Sequence, residues 1–243
     1  MISGWPVWYE KICRQFDYDP SKDQTAATIL NDILDERFDT TILHNIINNK
    51  TVLCVGAGPS LPSVIPIIKN TSMPIIVADS ALQMLTQFKI TPNIVVTDLD
   101  GQPDCMMSLA DSNIIFVVHA HGDNIEKLHM ARSFRRCLGT TQGVPFGRLH
   151  NFGGFTDGDR TVFLADHFGA HSIILCGMDL DGPVSPWSVP DKTETAIASK
   201  LSKLRMASSL LEWLAQNSHS RLYTLLCDVS GFDRVAPPDT KNI

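Results

Sequence analysis

From Thr51 onward the chain alternates short apolar runs with longer stretches of mixed polarity. The runs are 51–55 (TVLCV), 74–78 (PIIVA), 93–97 (NIVVT), 114–118 (IIFVV), 172–176 (SIILC) and 221–226 (RLYTLL), and five of them are followed at once by Gly, Asp or His. Continuous Val/Ile/Leu runs separated by helix-compatible segments predict parallel strands buried on both faces. Residues 1–48 follow another period: Ile29, Ile33, Leu34 and Phe38 recur at helical spacing behind a cluster of Trp5, Trp8 and Tyr9. The segment from about Glu194 to Asn217, with Leu201, Leu204, Leu211 and Leu214, reads as a long amphipathic helix. The pattern predicts an α/β fold with an open, mostly parallel Rossmann-like sheet and helices on both faces. It also predicts an N-terminal helical extension (1–48) ahead of the α/β domain (49–243).

Composition narrows the partners. The chain has 243 residues, 44% of them hydrophobic, enough for a sizeable core. The formal net charge is −6 and the Lys and Arg residues are dispersed, which argues against a nucleic-acid partner. An acidic protein that handles polyphosphate needs a cation to offset its own charge. Six cysteines without a C-x-x-C pair read as reduced core thiols. No apolar stretch nears the roughly 20 residues of a membrane span and the N-terminus lacks a leader pattern, so a soluble, cytoplasmic protein is expected. Trp5, Trp8 and the helical extension offer a surface for a homo-oligomer, and Pro237 and Pro238 mark a tail of little weight.

In open parallel sheets ligands bind beyond the carboxyl ends of the strands. There the sequence places G-A-G-P-S, A-D-S, T-D-L-D-G, H-A-H-G-D and G-M-D-L-D-G in turn. Gly56, Gly58, Pro59 and Ser60 form a turn that could let backbone amides approach phosphate, or that needs glycine for conformation only. Leu61 stands where a dinucleotide fingerprint has its third glycine, which disfavours a reductase, and no P-loop occurs. Asp-x-Asp recurs at 17/19, 98/100, 157/159 and 179/181, where chance placement of the aspartates gives about two such pairs. The 17/19 pair lies in a polar stretch and reads as a solvated loop or a helix-start signal. Asp98 and Asp100, and less decisively Asp179 and Asp181, follow strands and precede glycine. Gathered carboxylates oppose one another's ionisation unless a cation intervenes, and magnesium suits oxygen ligands and phosphates. His119, His121 and Asp123 offer phosphate or substrate contacts, Asp123 serving equally as a helix cap. In N-F-G-G-F-T-D-G-D-R (151–160), Thr156 with Asp159 resembles a capping box, which leaves Asp157, Arg160, Phe152 and Phe155 unassigned.

Six motifs in order, V-G-A-G-P-S-L (55–61), A-D-S-A (78–81), V-T-D-L-D-G (96–101), H-A-H-G-D-N (119–124), G-G-F-T-D-G-D-R (153–160) and C-G-M-D-L-D-G (176–182), resemble the archaeal 6-hydroxymethyl-7,8-dihydropterin pyrophosphokinase family, itself similar to the thiamine pyrophosphokinase catalytic domain. The resemblance runs from about Thr51 to Ser230. It implies Mg-dependent transfer of diphosphate from ATP to the hydroxymethyl group of a reduced pterin, giving AMP and the pterin diphosphate. It further implies Mg2+ on Asp98 and Asp100, with His119, His121 and Asp123 beside the reacting phosphates. Nucleotide contacts would come from Gly56, Gly58, Pro59, Ser60, Asp79 and Ser80. Phe155, Thr156, Asp157, Asp159, Arg160, Asp179 and Asp181 would meet the pterin or a second metal. A nucleotide-sugar transferase, a thiamine-type pyrophosphokinase and a non-catalytic nucleotide-binding module stand as alternatives.

Overall fold

The computed structural model describes residues 2–185, 187 and 193–236; Pro237 and Pro238 lie outside them. Three helices, α1 (Trp5–Phe16), α2 (Pro20–Ile33) and α3 (Thr41–Ile47), precede β1 (Thr51–Val55). Then come α4 (Leu61–Lys69), β2 (Ile75–Ala78), α5 (Asp79–Gln87), β3 (Ile94–Thr97), α6 (Pro103–Ser108), β4 (Ile115–Ala120), a 3₁₀ segment (Ile125–Ser133) and β5 (Cys137–Thr141). The chain continues through α7 (Asp157–His167), β6 (Ser172–Cys176), α8 (Glu194–Ala215), β7 (Arg221–Leu225) and β8 (Asp233–Arg234). The strands form one parallel sheet in the order β5-β4-β3-β2-β1-β6-β7-β8.

The six apolar runs become six of these strands. Their residues alternate between the two faces: Val52 and Cys54 join one hydrophobic cluster with α1, α3, α7 and α8. Leu53 and Val55 join the other, with α2, α4, α5 and α6. Two strands escaped the hydrophobic pattern. Edge strand β5 reads C-L-G-T-T, and a Cβ on its Gly139 would come within 2.6 Å of Leu149 and Leu34, so helix packing took a position where a strand usually carries bulk. Strand β8 is only the exposed pair Asp233–Arg234.

The N-terminal helices are built into both clusters. Trp5 is fully buried, packs edge-on against Phe163 at 6.4 Å and donates its indole N–H to the Gln142 carbonyl (2.8 Å). Trp8 lies 5.8 Å from Trp213 of α8. The two tryptophans expected at a subunit contact are therefore engaged within the chain. Among the described residues no helix is long and apolar enough to cross a membrane.

Successive strands step from β1 to β5 in one direction, and the chain then returns to place β6 on the other side of β1. Connections from β1 and β6 thus diverge, opening a crevice at their carboxyl ends where doubly wound sheets bind ligands.

Candidate active site

Four carboxylates meet at this edge. One oxygen from each of Asp79, Asp98, Asp100 and Asp157 lies within 4.8 Å of the others. They come from the start of α5, the turn after β3 and the first residue of α7, three elements that only the sheet brings together. Asp79, placed by the sequence with the nucleotide, is a buried member of this cluster. It accepts hydrogen bonds from Thr97 Oγ1 (2.6 Å) and the Gly101 amide (3.2 Å). A Cβ on Gly101 would sit 2.8 Å from the Asp79 carboxylate, so glycine there lets the backbone reach it. Between Asp98 and Asp100, buried Leu99 takes φ +68°, a left-handed conformation that costs a non-glycine residue about 1–3 kcal/mol. Its amide bonds Thr97 Oγ1 (2.8 Å) and that of Asp100 bonds Asp98 Oδ1 (3.2 Å), which hold the turn.

Crowding makes this cluster hungry for cations. Burial and then the charge of Asp98 push Asp79 up to about 6. Asp100 stands at the outer edge, yet surrounding protein, the Asp98 charge and a hydrogen bond to Asp98 raise it to about 7. Asp157 is driven well above the usual range by burial and by Asp98 and Asp79, despite Arg160 Nη1 at 3.5 Å. Burial works against ionised Asp98 as well, but hydrogen bonds from His121 and the Asp100 carboxyl outweigh it and hold Asp98 well below the usual range. Without metal, Asp100 is thus biased toward its protonated form and Asp98 toward its ionised one. An all-oxygen donor set that must otherwise retain protons fits a hard divalent cation such as Mg2+.

The two histidine rings lie near-parallel, 6.2 Å apart, but differ in what they meet. His121 lines the pocket: its Nδ1 accepts the Asp123 amide (3.3 Å), which leaves the proton on Nε2, 3.3 Å from Asp98 Oδ2. His119 is buried behind it and lines a separate cavity of about 20 Å³ together with Arg160. Thr140 Oγ1 donates to the Val118 carbonyl (3.1 Å), so His119 Nδ1–H donates to Thr140 (3.0 Å) and Nε2 is an acceptor. Among the described residues neither that Nε2 nor the Arg160 Nε donor has a partner, and the cavity has room for one bridging water. Asp123 is exposed and outside the pocket lining. Its neighbour Asn124 instead ties the loops, donating to the carbonyls of Asp98 and His119 (both 2.7 Å).

At the β1/β6 crevice, Asp179 fills the glycine turn. Its Oδ2 accepts from Ser60 N (3.0 Å) and Ser60 Oγ (2.7 Å). A Cβ on Gly58 would overlap that carboxylate and sit 2.7 Å from the Gly177 carbonyl oxygen. The glycines thus serve close packing of two turns, and donors expected to face phosphate are held by Asp179. Gly56, Gly58, Pro59, Asp79, Ser80 and Asp179 all line the pocket, whereas exposed Asp181 does not.

The 151–160 segment divides similarly. Asp159 is fully buried and spent on the α7 capping box, with Thr156 (2.6 Å) and the Phe155 amide (2.8 Å). Phe152 packs into the core against Phe168 (5.3 Å). Phe155, Thr156, Asp157 and Arg160 reach the pocket. So do Tyr18, Gln142, Lys200 and Lys203, which the sequence did not single out. Tyr18 sits in the α1–α2 turn, its ring 6.2 Å from that of Phe155. Asp19 beside it is the α2 N-cap, one of the two roles open to the 17/19 pair, while Asp17 ends α1 as its C-cap. The lysines stand on α8, where their i, i+3 spacing looks like any solvated helix face.

Comparison with known proteins gives this geometry relatives. Residues 26–183 match the family model described as 6-hydroxymethylpterin diphosphokinase MptE-like. The 6-hydroxymethyl-7,8-dihydropterin pyrophosphokinase of Pyrococcus furiosus is 42% identical over 224 residues, spanning 90% of this chain and 96% of that protein. Proteins of the same name from Methanothermobacter thermautotrophicus (37% identity, 91% of this chain and 98% of that one) and Methanocaldococcus jannaschii (39%, 88% and 95%) also match. Among solved structures, the MAf glycosyltransferase from Magnetospirillum magneticum AMB-1 aligns with a TM-score of 0.58 over 90% of this chain and 38% of that one. At 14% identity this likeness concerns the fold alone.

Proposed function

The chain belongs to the MptE-like 6-hydroxymethylpterin diphosphokinase family, and from that premise we propose that it transfers diphosphate from ATP to the hydroxymethyl oxygen of 6-hydroxymethyl-7,8-dihydropterin. The observation that carries the reading is the cluster of Asp79, Asp98, Asp100 and Asp157 at the carboxyl edge of the sheet. The alcohol oxygen forms a bond to the β-phosphorus as the bond from that phosphorus to the α,β-bridging oxygen breaks; AMP departs and the hydroxyl proton is released.

Asp79, Asp98, Asp100 and Asp157 would hold Mg2+, which supplies charge neutralisation on the polyphosphate. His121 Nε2–H fixes the Asp98 carboxylate, and Arg160 orients Asp157. The nucleoside end lies in the β1/β6 crevice near Gly56–Ser60 and Asp179. Tyr18, Phe155 and Leu204 give the flat pterin an apolar wall beside the carboxylates, suited to an aromatic ligand. Six unpaired thiols and dependence on ATP suit a cytoplasmic enzyme.

The test is incubation with ATP, Mg2+ and 6-hydroxymethyl-7,8-dihydropterin followed by chromatography of the nucleotides. The reading requires AMP and pterin diphosphate in equal amounts, with neither formed when metal or pterin is omitted. Unchanged ATP, or release of a nucleoside diphosphate, would overturn it.

A further inference from the structure

The wall opposite the carboxylates is helical and cationic. Of the side chains lining the pocket, Arg160, His121, Lys200 and Lys203 can carry positive charge. Arg160 is engaged by Asp157 and His121 by Asp98. Among the described residues neither lysine has a carboxylate oxygen within 4.0 Å. Lys203 is half-buried with its ammonium 5.9 Å from the centre of the Tyr18 ring and feels the charges of Asp98 and Asp100; Lys200 acts on Asp100 across the gap. Half-burying two ammonium groups beside an acidic cluster without closing an ion pair leaves space between cations and carboxylates that a bridging ligand can fill.

We propose that Lys200 and Lys203 of α8 are the receptor for the diphosphoryl group in transit, the β- and γ-phosphates of ATP and then the diphosphate of the product. This rests on the diphosphotransferase reading. Residues at i and i+3 on a helix present Cβ atoms about 5–6 Å apart, a span that lets two ammonium groups grip the outer oxygens of one diphosphate. The lysines act over the end of β3, at Asp98 and Asp100, two strands away from the β1/β6 crevice assigned to the nucleoside. Lys203 also adjoins Tyr18, on the acceptor wall, so the group stays in the grip of the pair while its bond to AMP is exchanged for one to the pterin. The α-phosphate, which leaves with AMP, lies outside their reach.

This division predicts a selective loss. In calorimetric titrations with Mg2+ present, Lys200→Met/Lys203→Met binds inorganic pyrophosphate and ATP at least tenfold more weakly than wild type and binds AMP with unchanged affinity. The Lys203→Arg single variant retains pyrophosphate binding, which separates charge from packing. Circular dichroism verifies that the double variant is folded; if it is not, Lys200→Gln and Lys203→Gln are measured singly, each expected to weaken pyrophosphate binding but not AMP binding. Equal losses for AMP and ATP, or wild-type pyrophosphate binding in the double variant, would overturn the assignment. Wild-type protein that forms pterin diphosphate while the variants bind pyrophosphate normally refutes the lysine role alone. Wild-type protein that makes no AMP with the pterin refutes the reaction reading instead.

Discussion

Replacing Asp79 by Asn should make the metal-free protein more stable while removing a metal ligand. Asp79 is 2% exposed, and burial with the Asp98 charge lifts its carboxyl from the ordinary 3.8 to about 6. Because the folded value lies above the unfolded one, the group's favourable contribution is present below pH 4 and is lost as pH rises through about 6. At pH 8 the ionised carboxylate therefore costs the folded state about 3 kcal/mol. Asparagine is neutral at every pH. Its single carbonyl oxygen can keep Thr97 and Gly101, but as a neutral acceptor it holds them more weakly than a carboxylate does, which offsets about 1 kcal/mol. The net gain of about 2 kcal/mol corresponds to roughly 4–8 °C in a chain of this size. The assay is thermal melting in EDTA at pH 8 and pH 5, then again with Mg2+. The gain should shrink at pH 5, where much of the wild-type penalty has gone, and Mg2+ should raise the melting temperature of wild type more than that of the variant. A variant that melts at or below wild type at pH 8, or a gain identical at both pH values, would refute the reasoning.

Mg2+ should stabilise the wild type more at pH 8 than at pH 5.5, because Asp100 and Asp79 must lose protons held up to about 7 and about 6 before coordinating; equal melting shifts at the two pH values would contradict this. Gly58→Ala should destabilise the fold by about 1–3 kcal/mol in denaturant melts, since its methyl overlaps the Asp179 carboxylate. His119→Gln, which can keep an acceptor toward the internal cavity, should retain more Mg2+ affinity than His119→Leu, and nitrogen NMR of wild type should show the Nδ1–H tautomer; equal affinities or the opposite tautomer would count against the bridging water. Trp5→Ala should cost about 3–5 kcal/mol in equilibrium unfolding, as expected when a buried indole is removed.

Hydrophobic patterning by itself determined most of the sheet. Strands with both faces buried must read as continuous Val, Ile and Leu, so six of the eight announced themselves, and the turns after them had to meet at one edge. The same logic brought Asp98 and Asp100 to notice, because carboxylates directly after a buried strand need a reason. Strand β5 stayed hidden because its identity depends on what packs against Gly139. Only the tertiary structure decided which polar residues share the pocket. His119 and His121, two apart, separate into a buried support and a pocket wall. Asp157 and Asp159, equally close, become a cluster carboxylate and a helix cap, because the α7 N-terminus turns one inward and keeps the other for its own amides. Tyr18, Lys200 and Lys203 carry no local signal, since a tyrosine in a turn and lysines on an amphipathic helix fit any solvated surface. Their meaning comes from long-range packing that sets α1, α2 and α8 over the edge of a sheet formed by residues far away in the chain.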